Sequence, residues 1–173
     1  MSQKFNIAIV GATGNVGREM LSILSEREFP IENIYCLASK NSKGKKIEFG
    51  NKEIIVEELS EFDFTKVQIA LFTAGGKVSE KYAPKASQSN CVVIDNTSFF
   101  RMKEDVPLIV PEVNIEKLND FFNNDQRSNI IANPNCSTIQ MVVALKPIHD
   151  VAIINRIVVS TYQSVSGAGK EGM

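Results

Sequence analysis

The sequence predicts an α/β fold of the Rossmann type, a doubly wound, mostly parallel sheet with helices on both faces. Three observations predict it. Short apolar runs alternate with stretches of helical periodicity. The first run ends in a glycine-rich turn, Gly11-Ala12-Thr13-Gly14-Asn15-Val16-Gly17, which opens a helix. The triplet Ile130-Ile131-Ala132 reads as a buried strand running into a second strand-to-helix corner.

Taken in order, Phe5 to Val10 is a strand. Val16, Met20, Ile23 and Leu24 then recur with helical spacing. Ile34 to Ala38 is the second strand, and Lys40 to Lys46 a polar, basic loop. Ile47 to Phe49 and Ile54 to Val56 flank Gly50-Asn51 as a hairpin. Val67 to Phe72 is a strand, Val78 to Ser87 a helix and Cys91 to Ile94 a strand. Asn96 to Pro111 reads as irregular, punctuated by Pro107 and Pro111. Ile115 to Phe122 is a short helix, and Asn123 to Asn129 a polar loop. After Ile130 to Ala132, Pro134 disfavours helix at Asn133, so the chain turns there. A helix follows to about His149, with Ile139, Val142 and Val143 on one face. Ile153 to Thr161 is expected as a last strand.

Composition narrows the function classes. A chain of 173 residues, 43% apolar and 23% charged, matches a soluble globular protein with one good core. A net charge of −1 gives no electrostatic footprint for nucleic acid or an acidic membrane. No apolar run is long enough to span a bilayer, and the start of the chain carries no signal-peptide pattern. Three cysteines without paired spacing suit a reducing, cytoplasmic setting. One His and no Cys-x-x-Cys argue against a metal site.

In parallel sheets ligands bind beyond the carboxyl ends of the strands. The loops after Val10, Ala38, Phe72, Ile94 and Ala132 should therefore meet in one crevice. Gly11 allows the tight turn, Gly14 lets backbone approach a pyrophosphate, and Gly17 lets helix and strand pack closely. The spacing is one residue longer than the commonest dinucleotide fingerprint. At the end of the second strand, Ser39-Lys40-Asn41-Ser42-Lys43 offers hydroxyls and lysines instead of an acid. That suits the 2′-phosphate of NADP, although a solvated basic loop would look the same.

Cys136 lies at the corner Asn133-Pro134-Asn135-Cys136-Ser137-Thr138, at the positive end of a helix dipole. That position favours a nucleophilic thiolate. Cys36 and Cys91 read as core thiols inside apolar strands. Asn135 could fix the corner or donate to an oxyanion. Gln163 could orient the reacting group or simply form a turn. Arg101 could bind a phosphate or carboxylate, or pair with Glu104 and Asp105. His149 is about a dozen residues beyond the thiol and too far along the helix to act as its base. Gly167-Ala168-Gly169-Lys170 is not a P-loop, because Ser164 and Glu171 occupy positions where Gly and Ser or Thr are needed.

These motifs resemble the amino-terminal part of the aspartate-semialdehyde dehydrogenase family. The resemblance runs from Gly11-Ala12-Thr13-Gly14 through Asp95-Asn96-Thr97-Ser98-Phe99-Phe100-Arg101, Val110-Pro111-Glu112-Val113-Asn114 and Asn133-Pro134-Asn135-Cys136-Ser137-Thr138. It ends in Ser160-Thr161-Tyr162-Gln163-Ser164-Val165-Ser166-Gly167-Ala168-Gly169 and so covers essentially the whole chain. N-acetyl-glutamyl-phosphate reductase shares the glycine loop and a catalytic Cys, but in a different cysteine context; it stands as the alternative enzyme. A non-catalytic NADP-binding module is the alternative outside enzymes.

The resemblance implies NADP-dependent reductive dephosphorylation of L-aspartyl 4-phosphate to the semialdehyde, within lysine, threonine, methionine and diaminopimelate biosynthesis. Cys136 would attack the acyl carbon, phosphate would leave and a thioester would form, after which NADPH would deliver hydride. Arg101 would hold the phosphate, and Asn135 and Gln163 would position the acyl group. Gly11, Thr13, Gly14, Asn15, Val16, Ser39, Asn41, Ser42, Ser166 and Gly167 would contact NADP. Family enzymes are homodimers or homotetramers. Two departures stand out. Asn41 replaces an Arg that would pair with the 2′-phosphate, leaving Lys40 or Lys43 to substitute. The chain also ends at Met173, before the second domain with its acid/base His. The expected division is a dinucleotide-binding domain over 1–132, then a catalytic-cysteine segment and the start of a truncated substrate and dimerisation domain over 133–173. This chain alone is expected to be inactive.

Overall fold

The computed structural model describes residues 3–122 and 128–165. Among them seven strands form one sheet: β1 (Phe5–Val10), β2 (Ile31–Ala38), β3 (Lys46–Phe49), β4 (Lys52–Glu58), β5 (Ile69–Phe72), β6 (Val92–Asp95) and β7 (Ile130–Ala132). Their spatial order is β3-β4-β2-β1-β5-β6-β7. Every pairing is parallel except the β3–β4 hairpin. The helices are α1 (Asn15–Glu26), α2 (Gly76–Gln88), α3 (Pro111–Asn114), α4 (Lys117–Phe122) and α5 (Cys136–Val151). The doubly wound fold read from the sequence is the fold found.

Alternation along each strand divides the core into two layers. On β1, Ala8 and Val10 join Leu37, Phe72, Val93 and Ile130 in the cluster that includes Ala83 and Ala86 of α2. Ile7 and Ile9 join Cys36, Val56 and Leu21 of α1 in the other. Both faces of the sheet are buried, which is why its strands read as near-continuous apolar runs. The chain steps from β1 to β2 in one direction and later to β5 in the other. The crevice between these diverging connections opens above the glycine loop.

One expectation is corrected. Ile153 to Thr161 pairs with no strand, and apart from the half-buried Ile154 its side chains face solvent, Val158 being 81% exposed. A strand needs a partner, and no described strand pairs with this segment. The outer edge of β7 is taken by the segment before α3: Ile109 N–H donates to Ala132 O at 2.8 Å, and Ala132 N–H donates to Pro107 O at 3.0 Å. The stretch Asn96 to Val110 is irregular as read, and its residues 107–109 cover that edge, before α3 starts at Pro111. Element ends also differ by a few residues. β2 begins at Ile31, β5 at Ile69, and a 3-10 turn (Lys40–Ser42) lies inside the basic loop. Residues 123–127 of the expected polar loop lie outside the described residues. The apolar face of α5 at Ile139, Val142 and Val143 is only half-buried.

Candidate active site at the carboxyl edge of the sheet

Gly11 leaves β1 at φ +95°, in the left-handed region where glycine is favoured. A Cβ there would lie 2.8 Å from Thr73 Oγ1 and 2.9 Å from Ala74 N. The turn is tied to β2, because Gly11 N–H donates to Leu37 O at 2.9 Å. A Cβ on Gly17 would fall 2.3 Å from Gly11 O, so helix and turn touch backbone to backbone. No side chain caps α1, which leaves its first-turn amides available to an anion.

A groove of about 800 Å³ runs from this turn across the neighbouring strand ends. Gly11, Thr13, Gly14 and Ser39 of the predicted set line it, together with Lys40. Asn15 and Val16 sit exposed on the first turn of α1, while Asn41 and Ser42 belong to the adjacent 3-10 turn. The glycine cradle, the uncapped helix start and the adjoining groove fit a dinucleotide. Ser166 and Gly167 lie outside the described residues.

The two candidate replacements for an Arg near Asn41 are now distinguished. Lys43 is engaged by Glu61 and, at 3.5 Å, by Glu58, and these carboxylates hold its ammonium above its ordinary range. Lys40 makes no ion pair among the described residues and lines the groove. Glu58, missed by sequence reasoning, lines the same groove. It arrives on β4, whose last residue is registered against Ala38. The Ser60 hydroxyl first, then Lys43, hold its carboxyl below the usual range.

Cys136 is the first residue of α5 and is exposed. Asn135 caps the helix, its Oδ1 accepting from Thr138 N–H at 2.9 Å. Of the two roles open to Asn135, fixing the corner is the one the contacts display. Cys36 and Cys91 are buried. Burial first, then Glu57, pushes Cys36 up to about 11, and burial pushes Cys91 up to about 12. Cys136 is therefore the accessible thiol.

Arg101 pairs with neither Glu104 nor Asp105 among the described residues. Its Nε donates to Asn133 O at 2.9 Å and its Nη2 to Asn96 O at 3.0 Å. The guanidinium is thereby fixed to the backbone three residues before the thiol. Behind it lies a feature the sequence reading did not interpret. Asp95, fully buried, accepts from Ser79 Oγ at 2.8 Å, Thr97 Oγ1 at 2.9 Å and Thr97 N–H at 3.1 Å. The signal was present: an acid ending an apolar strand needs donors when buried.

Gln163 is exposed on the extended segment after α5, and no described contact joins it to Cys136 or Arg101. His149 is at the far end of α5, its Nδ1 accepting from Ile154 N–H at 3.2 Å. At ~1.5 Å per residue it lies roughly 20 Å from Cys136 along the helix.

Comparison with known proteins decides the family. A family model described as semialdehyde dehydrogenase, NAD binding domain, matches residues 6–121. This chain belongs to the semialdehyde dehydrogenase family. The model for that family's dimerisation domain matches residues 145–173. Over 173 residues the chain is 58% identical to aspartate-semialdehyde dehydrogenase 2 of Vibrio cholerae and 55% identical to the Rickettsia bellii enzyme. It spans about half the length of these curated relatives, 50% in each case. The crystal structure of the Vibrio cholerae enzyme complexed with ASA superposes with a TM-score of 0.93, covering 99% of this chain and 50% of that one. A Candida albicans aspartate semialdehyde dehydrogenase solved with NADP superposes at 0.72 with 25% identity, covering 88% of this chain and 48% of that one. The semialdehyde dehydrogenase fold thus accounts for the sheet, the glycine turn and the Cys136 corner together. Among the described residues no helix is long and apolar enough to cross a membrane.

Proposed function

We propose that this chain is the cofactor-binding, thiol-bearing half of an NADP-dependent enzyme that reduces L-aspartyl 4-phosphate to L-aspartate 4-semialdehyde in amino-acid biosynthesis. One observation carries the reading. An exposed thiol at the start of α5 and an uncapped glycine-turn helix leave the same carboxyl rim of one sheet, and Arg101 is tied to the Asn133 carbonyl, three residues before the thiol.

The uncapped amides of α1 hold the cofactor's pyrophosphate, and Gly11 leaves room for it. Thr13, Ser39 and Lys40 face its adenosine end, with Lys40 supplying the positive charge for a 2′-phosphate. When bound, the reduced nicotinamide supplies the hydride that turns a Cys136 thioester into an aldehyde and restores the thiol. Cys136 Sγ attacks the acyl carbon, an S–C bond forms as the C–O bond to phosphate breaks, and the phosphate leaves toward Arg101. Asn135 keeps the sulfur at the helix start and presents its own amide to the acyl oxygen. Gln163, Ser166 and Gly167 are assigned the remaining acyl and nicotinamide contacts. We divide the chain at residue 132, with 133–173 opening the substrate and dimerisation domain. The whole enzyme is a cytoplasmic homodimer or homotetramer, in keeping with the dimerisation-domain match.

The test uses iodoacetamide labelling of Cys136 with and without NADP, alongside a fluorescence titration with NADPH. Saturable binding, lost in Gly11→Val, and labelling slowed about fivefold or more by bound NADP are expected. Binding without protection overturns the shared pocket. No binding at millimolar cofactor overturns the nucleotide site.

A further inference from the structure

The bonds around Arg101 tie together the loops that follow β6 and β7. Arg101 follows β6 and Cys136 follows β7, and these neighbouring strands end in the pair Asp95–Ala132. One more ladder bond, Asn133 N–H to Asp95 O at 3.1 Å, continues beyond that pair. There the side chains of the two loops meet: Asn133 Nδ2 donates to Asn96 Oδ1 at 2.7 Å and, more weakly, to Pro134 O at 3.3 Å. The same two residues supply the carbonyls that receive Arg101. The guanidinium therefore spans two loops, and its orientation depends on how those loops are placed relative to each other. Both asparagines are half-buried, so water could satisfy them separately. Their direct pairing matters for geometry more than for relieving a buried polar group.

We propose that the Asn96–Asn133 side-chain hydrogen bond is a positioning clasp that keeps the Arg101 guanidinium in register with the Cys136 thiol. It rests on the reading of Arg101 as the holder of an anionic group beside Cys136. With the clasp closed, Nε and Nη2 are both anchored, and Nη1, without a partner among the described residues, is left for the anion. With it open, one carbonyl drifts and the guanidinium swings toward solvent.

The experiment compares alkylation of Cys136 by iodoacetate and by iodoacetamide at low ionic strength. The reagents differ in charge, so their rate ratio reads the positive field at the sulfur and cancels changes common to both. Cys36 and Cys91 are buried and do not contribute. Arg101→Leu should lower the ratio about threefold. Asn96→Ala and Asn133→Ala should each produce at least half of that loss on a logarithmic scale. The double variant should fall no further than either single one, because both remove the same bond. Asn133→Leu, similar in volume but without a donor, gives the same readout if the Ala variant unfolds. Wild-type ratios in the Asn variants beside a lowered ratio in Arg101→Leu overturn the clasp and leave the Arg101 reading standing. An additive loss in the double variant also overturns the clasp. An unchanged ratio in Arg101→Leu overturns the Arg101 reading, and the clasp with it.

Discussion

Replacing Gly17 by Ala puts the helix–turn contact to a quantitative test. The added Cβ would sit 2.3 Å from Gly11 O and 2.8 Å from Ala12 Cα. A comfortable C···O approach is about 3.3 Å, so something must retreat by about 1 Å. The obstacle is backbone and cannot rotate aside. Either α1 slides off β1, or the turn opens and strains the Gly14 N–H to Gly11 O bond of 3.0 Å. Overpacking of this kind costs about 3 kcal/mol at the upper end of its range. Helix propensity returns about 1 kcal/mol, since Ala is preferred over Gly inside a helix. The net loss is roughly 2 kcal/mol, which for a chain of this size lowers the melting temperature by roughly 4–8 °C. Two glycines serve as comparators in thermal unfolding followed by circular dichroism. Gly14→Ala meets only Gly11 O at 3.3 Å, at an ordinary φ of −79°. Gly44→Ala meets nothing within 4 Å but carries a φ of +82°, so it costs about 1 kcal/mol of backbone strain. The expected order of loss is Gly17, then Gly44, then Gly14. A Gly17→Ala protein melting within about 1 °C of wild type would refute the close-packing argument. If it melts low yet keeps its NADPH affinity, the displaced α1 amides do not hold the cofactor.

Ser79→Ala leaves the buried Asp95 carboxylate one donor short; denaturant titration should show a loss of about 2 kcal/mol, the usual worth of a hydrogen bond to a charged group. The Glu58 carboxyl is held below its ordinary value of 4.5, so its contribution is present above that pH and is lost as pH falls through the depressed value. Glu58→Gln should therefore flatten the fall in stability below about pH 4.5, read from melting temperatures across acid pH. Cys91 ionises near 9.0 when unfolded but is pushed up to about 12 when folded, so stability falls as pH rises between them, and Cys91→Val should raise the alkaline unfolding midpoint. Native-state iodoacetamide should label Cys136 alone, with Cys36 and Cys91 reacting only after denaturation, as mass spectrometry of digests would show. The 173-residue chain should give no turnover with semialdehyde, phosphate and NADP, because its single His lies at the far end of α5; steady NADPH production that survives His149→Ala would overturn that reasoning.

Local chemistry written into short segments was legible without coordinates. Apolar runs alternating with helical spacing determined the βαβ architecture, and the glycines at 11, 14 and 17 determined a turn that opens a helix. Pro134 and Asn135 determined that Cys136 starts one. Each of these depends on residues a few positions apart, where backbone sterics and hydrogen-bonding capacity act directly. Ile153 to Thr161 shows the limit, since its composition suits a strand. A strand exists only where a partner strand pairs with it, and none of the described strands pairs with this segment; residues 107–109 occupy the edge of β7.

Long-range pairing decided the rest. Arg101 has acids close by in sequence, Glu104 and Asp105, yet it bonds to carbonyls 5 and 32 residues away. Lys43 is neutralised by acids from the end of β4 and the turn beyond it, which leaves Lys40 facing the groove. The Asn96–Asn133 contact joins residues 37 apart because β6 and β7 are neighbours. Residue type and local spacing fix what a side chain can do. Strand order fixes which partners compete for it, and that depends on where distant strand ends meet.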